Sequence, residues 1–178
     1  MRIFEHRRLW HMAADQYWAA TRLLAAEAAE RLGEVRTVVG IAEGGRAPAY
    51  AIGAETGASV HIVKARHNAS DEIGLPATGK VTYDLGAVPN PLRGPVLVVD
   101  DICGSGSTLI AVVSALQPLT VPDAMICTAT LCRNAGAPPG LPDLYMWEVA
   151  DWVVFPWERV PPGRQASPLP AHPGMSLW

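Results

Sequence analysis

The chain has 178 residues, enough to bury one substantial core without division into two domains. Its formal net charge of −3 offers no basic excess for nucleic acid or an anionic membrane, and no apolar run approaches the length of a bilayer span. Cys103, Cys127 and Cys132 are odd in number and lack metal-ligand spacing, so reduced thiols in the cytoplasm are expected rather than a disulfide framework.

Arg2, Arg7 and Arg8 open the chain with no apolar stretch behind them, so no secretory leader is expected. Asp15 to Leu32 is rich in alanine, sets Tyr17, Leu24, Ala28 and Leu32 on roughly one face, and is followed by Gly33; it predicts an amphipathic helix with a glycine stop. Arg36 to Ala42 predicts a buried strand, Ala47 to Glu55 a helix, and Ser59 to Lys64 a second strand. Strands that alternate with helices imply a parallel sheet.

Between that first strand and its helix runs Ile41-Ala42-Glu43-Gly44-Gly45-Arg46-Ala47. Adjacent glycines allow main-chain N–H groups to approach a ligand closely and converge on an anion. Taken alone, the run is equally a plain strand-to-helix turn. From Lys64 to Pro95, turn-forming residues interrupt a single short strand candidate, Val81 to Asp84, and a loop of that length in a compact domain is usually functional or disordered.

The most informative stretch is Val96-Leu97-Val98-Val99-Asp100-Asp101-Ile102-Cys103-Gly104-Ser105-Gly106-Ser107-Thr108-Leu109. Its four branched apolar residues lack polar alternation, as in a central strand covered on both faces. Two carboxylates then stand at its carboxyl end, where open α/β sheets bind ligands. The Gly/Ser/Thr turn that follows opens a helix at Ser107 to Leu116 and presents hydroxyls and free N–H groups to a phosphate. A dinucleotide loop would need glycine or alanine where Leu109 stands, and a Walker loop would need a lysine. An ordinary turn would tolerate the glycines but leaves the two aspartates unexplained. Beyond it, Asp123 to Leu131 and Leu144 to Val149 predict two more strands, and the proline-rich stretch from Val160 to Trp178 an irregular tail.

Val98-Val99-Asp100-Asp101-Ile102 with Gly104-Ser105-Gly106-Ser107-Thr108 resembles the phosphoribosyl-diphosphate signature of type I phosphoribosyltransferases. Ala150-Asp151-Trp152-Val153-Val154-Phe155-Pro156-Trp157-Glu158 is similar to the hood of the xanthine and guanine, or 6-oxopurine, members. The resemblance implies an α/β fold with a central, mostly parallel sheet flanked by helices and a small hood made from the chain ends. Residues 1–160 would form one domain, with 161–178 as a tail. It further implies transfer of a 5-phosphoribosyl group from phosphoribosyl diphosphate to a nitrogen of a heterocyclic base, with Mg²⁺ as cofactor and a homodimer as the usual assembly.

In that family Asp100 and Asp101 would be the catalytic acids, holding the ribose hydroxyls directly or through Mg²⁺, while Gly104, Ser105, Gly106, Ser107 and Thr108 cradle the 5′-phosphate. Glu43, Gly44, Gly45 and Arg46 match the diphosphate loop. Lys64 and Arg66 begin a segment that closes over the site and would reach the diphosphate. Trp152 would stack on the base beside Val153, Arg133 would read its exocyclic oxygen, and Trp157 is expected to serve packing.

Two positions depart from the pattern. Glu43 stands where purine enzymes commonly carry Arg or Lys, and Arg46 is the nearest residue able to supply that cation. Gly104 stands where many carry an aspartate that handles the acceptor's proton. Together they keep open a specialised transferase acting on an unusual heterocycle; the alternative from a different class is a regulator that senses phosphoribosyl diphosphate without turnover, against which Asp100 and Asp101 argue.

Overall fold

The computed structural model describes residues 8–66 and 81–172. In chain order the elements are β1 (Leu9–His11), α1 (Ala14–Leu32), β2 (Thr37–Ala42), α2 (Arg46–Thr56), β3 (Ser59–Arg66), β4 (Thr82–Asp84), β5 (Val96–Cys103), α3 (Ser107–Leu116), a short 3₁₀ turn at Gln117–Leu119, β6 (Ile126–Asn134), β7 (Leu144–Val149), β8 (Trp152–Val154) and β9 (Ser167–Pro168). No helix among the described residues is long and apolar enough to cross a membrane.

The larger sheet has the order β4-β3-β2-β5-β6-β7, with every neighbouring pair parallel except the edge strand β4. Successive side chains on a strand point to opposite faces, and that alternation builds two apolar layers here. Val38, Leu97 and Val99 pack with α1 and α2, whereas Val39, Val96 and Val98 pack with Leu109, Val112 and Leu116 of α3. Every one of these β5 valines is fully buried, a contribution of about 1.5–3 kcal/mol each by area burial. The expected face of α1 is the one that is buried, and Gly33 ends the helix at φ +75°.

Two strand boundaries differ from expectation. The strand expected over Asp123 to Leu131 starts at Ile126 and continues to Asn134, because Pro122 and Asp123 form a turn with Asp123 at φ +61°, a conformation that Asp tolerates better than most residues. Likewise β5 does not end at the aspartates. It runs to Cys103, held by parallel pairing of Asp100 with Thr130 and of Cys103 with Arg133.

The chain ends build a second, three-stranded sheet, β8-β1-β9, in which β1 pairs parallel with both neighbours. The proline-rich stretch expected as an irregular tail supplies β9, a two-residue edge strand that proline permits and that periodicity is too short to reveal. Leu169 is buried; its N–H donates to the His11 carbonyl at 3.0 Å, and its own carbonyl accepts from Gln16 Nε2 at 2.9 Å. Trp147 Nε1 donates to the Pro170 carbonyl at 3.0 Å.

Candidate active site

The chain leaves β2 toward β3 on one side and later returns to place β5 on the other, so the loops after β2 and β5 diverge at a topological switch point. Gly44 and Gly45 make that convergence possible. A Cβ at Gly44 would collide with the Asp101 carboxylate, lying 2.6 Å from Oδ1 and nearer still to Oδ2. At Gly45 it would fall 2.7 Å from the Ile41 carbonyl oxygen and closer to that of Val99. The Gly45 N–H donates to Ile41 at 2.7 Å, and the Ala42–Glu43 peptide is cis. The glycine loop and the acid pair are therefore packed against each other at the carboxyl ends of β2 and β5.

Asp101 N–H donates to Asp100 Oδ1 at 3.0 Å, and Ile102 N–H to Asp101 Oδ1 at 2.6 Å, which fixes both carboxylates against the strand. Asp100 keeps some accessible surface yet is densely surrounded by protein atoms. That burial, and then the neighbouring charge of Asp101, holds its carboxyl well above the usual range, partly offset by main-chain N–H groups of Asp101 and Gly45. Burial, followed by the charge of Asp101, also pushes the Cys132 thiol well up. A crowded, electron-rich acid pair is the donor set that suits Mg²⁺, an ion usually bound by one or two carboxylates completed by water and substrate phosphates.

Beyond β5, Gly106 adopts φ +79° as the residue preceding α3 and, being glycine, brings no side-chain cap of its own to the helix N-terminus. Ser105 and Ser107 hydroxyls lie 3.0 Å apart, and Ser107 N–H donates to Ser105 Oγ at 3.4 Å. Gly104, Ser105, Ser107 and Thr108 are half-buried around a helix start whose first-turn N–H groups favour an anion. Leu141 Cδ2 occupies the space where a Cβ of Gly106 would stand, with Pro138 Cδ at contact distance, 3.4 Å.

The expected cations divide. Lys64 is exposed and pairs in the ladder with Ala42, at the threshold of the glycine loop, with Arg66 two residues further along β3. Arg46 Nε donates to Glu43 Oε2 at 3.3 Å, and both side chains are exposed. The stretch expected to close over the site falls largely on residues 67–80, outside the described residues.

Arg133 is placed differently from its expected role. Its side chain is only 14% exposed, forms an ion pair with Glu148, and donates from Nε to Leu141 O at 3.1 Å and from Nη2 to Ala137 O at 3.1 Å and Pro138 O at 3.2 Å. A guanidinium has five N–H donors, and these contacts engage all three of its nitrogens. These contacts hold the turn at 137–141. Sequence reasoning missed these partners: the β6–β7 register sets Arg133 beside Glu148, and the folded-back side chain reaches Pro138 and Leu141 in the connecting turn.

In the smaller sheet Trp152 is half-buried and pairs with Leu9, whereas Val153 turns its side chain into the main core. Trp157 stacks on Phe155 at 5.1 Å between ring centroids and meets Tyr17 edge-on at 5.6 Å, while remaining 41% exposed. It packs, as expected, but on the surface.

A model of the phosphoribosyl transferase domain matches residues 14–159. The chain is 33% identical over 154 residues to the xanthine-guanine phosphoribosyltransferase of Gluconobacter oxydans, covering 83% of each sequence. Among solved structures it is similar to a purine phosphoribosyltransferase from Pyrococcus horikoshii, with TM-score 0.72 and 22% identity over 88% of this chain and 99% of that one. It is also similar to the xanthine-guanine-hypoxanthine phosphoribosyltransferase of Helicobacter pylori, with TM-score 0.68 and 21% identity over 85% and 94% of the respective chains. At those identities the structures speak for the fold.

Proposed function

The chain belongs to the phosphoribosyl transferase domain family, and from that membership we propose that it transfers the 5-phosphoribosyl group of phosphoribosyl diphosphate to a ring nitrogen of a 6-oxopurine such as xanthine, guanine or hypoxanthine. The observation that carries the reading is the lodging of Gly44 against the Asp101 carboxylate. It brings the glycine loop and the acid pair within reach of one donor molecule.

In the reaction the C1′–nitrogen bond forms as the bond from C1′ to a diphosphate oxygen breaks, diphosphate takes that electron pair, and the acceptor's ring proton passes to water. The start of α3, with Ser105, Ser107 and Thr108, holds the 5′-phosphate and so fixes the ribose. In the glycine loop the Gly45 N–H is taken up by Ile41, so Gly44, with Arg46 and Lys64, faces the leaving diphosphate. Asp100 and Asp101 hold the ribose hydroxyls and stabilise positive charge growing at C1′, so positioning and electrostatics carry the rate. Both acids would hold Mg²⁺, whose chemistry when bound is to neutralise the diphosphate. Trp152 offers the acceptor a stacking face, worth about 1–3 kcal/mol per base in comparable recognition.

The test is diphosphate release from phosphoribosyl diphosphate and Mg²⁺ across a panel of purines and other heterocycles. Release with xanthine, guanine or hypoxanthine is expected. Release only with a non-purine base would move the assignment to a specialised transferase, as Gly104 and Glu43 first suggested, and tight donor binding with no release for any base would favour the sensing regulator. Light scattering of the intact protein checks the expected homodimer.

A further inference from the structure

We infer that Arg133 is a positioning residue for the 5′-phosphate loop, acting through the turn at 137–141, and that it does not read the acceptor base. The inference rests on the transferase reading above and names how one part of that site is held. Arg133 pairs in register with Cys103, the residue immediately before Gly104, so its Cα flanks the root of the phosphate loop. Its guanidinium nevertheless turns to the opposite strand and turn, lying 5.5 Å from the Tyr145 ring centroid, paired with Glu148, and donating to the carbonyls of Ala137, Pro138 and Leu141.

Within the turn Leu141 N–H donates to Pro138 O at 3.2 Å, and the Arg133 guanidinium adds to that bond. Pro138, Pro139 and Pro142 have no N–H to contribute, so the turn is poor in its own hydrogen-bond donors. A planar fork can serve three carbonyls and a carboxylate together, which an ammonium cannot. The braced turn in turn supports the phosphate loop. Pro138 Cδ would stand 3.4 Å from a Cβ at Gly106, Leu141 Cδ2 would stand closer, and Gly106 holds the left-handed conformation that starts α3. Contact thus runs from Glu148 through Arg133 and the turn to Gly106.

The experiment is Arg133→Lys in the full chain, with calorimetric binding of phosphoribosyl diphosphate in Mg²⁺ and steady-state kinetics on hypoxanthine, guanine and xanthine. A lysine can still donate to an exocyclic oxygen but cannot hold the turn. The brace predicts a donor Kd raised about tenfold, or about 1.4 kcal/mol, with the preference among the three bases unchanged. An unchanged donor Kd with a shifted base preference would overturn it. Should Arg133→Lys fail to fold, Leu141→Ala, which removes the contact with Gly106 and leaves Arg133 in place, must weaken donor binding by itself; unchanged binding there sinks the proposal. Where both variants fold, their effects must be less than additive, since they act along one path. Wild-type protein that binds no phosphoribosyl diphosphate would remove the transferase reading and the brace with it, an outcome distinct from normal wild-type binding that the variants leave untouched.

Discussion

Gly44 stands where the carboxylate of Asp101 leaves no room for a side chain. Any larger residue must push the β2–α2 loop away from the acid pair, and a displacement near 1 Å in a positioned site can cost about a hundredfold in rate. Gly44→Ala is therefore expected to lower kcat/KM about a hundredfold while the sheet beneath persists. Gly57→Ala supplies the contrast: φ there is +70° with open space around a new Cβ, so it should lower the Tm through backbone strain of about 1–2 kcal/mol and leave kcat/KM intact. Full activity in Gly44→Ala would show that the two loops are not one site.

Asp100 trades stability for chemistry. Burial and the charge of Asp101 raise its pKa in the folded state, so the fold binds that proton more tightly than the unfolded chain does. Its contribution favours the fold below the unfolded value of about 3.9 and is lost as pH rises through the raised folded value. Asp100→Asn removes a crowded negative charge and should lift the Tm by a few degrees at neutral pH, the difference shrinking on acidification. Turnover should fall at the same time. Thermal melts of both proteins from pH 4.5 to 8 check the sign, and a variant less stable than wild type at pH 8 would contradict it.

Glu43 and Arg46 form an exposed ion pair at the mouth of the glycine loop, and exposed pairs stabilise a fold by about 0–1 kcal/mol. The pair's effect should appear in donor binding instead. Arg46→Ala should raise the donor KM roughly fivefold, about 1 kcal/mol, and leave the acceptor KM alone. Glu43→Gln removes a carboxylate from the proposed diphosphate loop and releases the guanidinium, so it should lower the donor KM by a similar factor with an unchanged Tm, and added salt should shrink both effects. A higher donor KM in Glu43→Gln would show that the carboxylate orients Arg46 rather than competing for it.

Local signals and long-range contacts separate what could be read from the sequence. The helix at Ser107–Leu116 and the strand at Leu144–Val149 were legible to the residue, because a glycine-rich turn and a short apolar run bound them. The acid pair and both glycine loops stood out because their residue types are rare at the ends of buried strands. What stayed hidden depended on pairing across the sheet. The extension of β5 past Asp101 needs β6 beside it, the commitment of Arg133 needs Glu148 and a turn eight residues away, and Ser167–Pro168 is too short to carry a period.

That last pairing has a functional consequence through two steps of register. Trp10 and His11 of β1 pair with Ser167 and Pro168 on one side and with Val153 and Val154 on the other, while Leu9 pairs with Trp152. Leu169 anchors the arrangement, buried in the main core with its backbone tied to His11 and Gln16. The strand that carries Trp152 is thus held in place by a C-terminal segment beyond the matched family region, which ends at residue 159. Leu169→Ala opens a cavity costing about 2–5 kcal/mol and should loosen β9, then β1, then β8. The acceptor KM should rise severalfold while the donor KM, set at the other loops, stays constant. Trp152→Ala should raise the acceptor KM further, since it removes the proposed stacking face, worth about 1–3 kcal/mol, rather than its support. Steady-state kinetics with each substrate varied in turn, alongside a melting curve, separate the cases. A Leu169→Ala protein with a lower Tm but an unaltered acceptor KM would restrict the segment to stability.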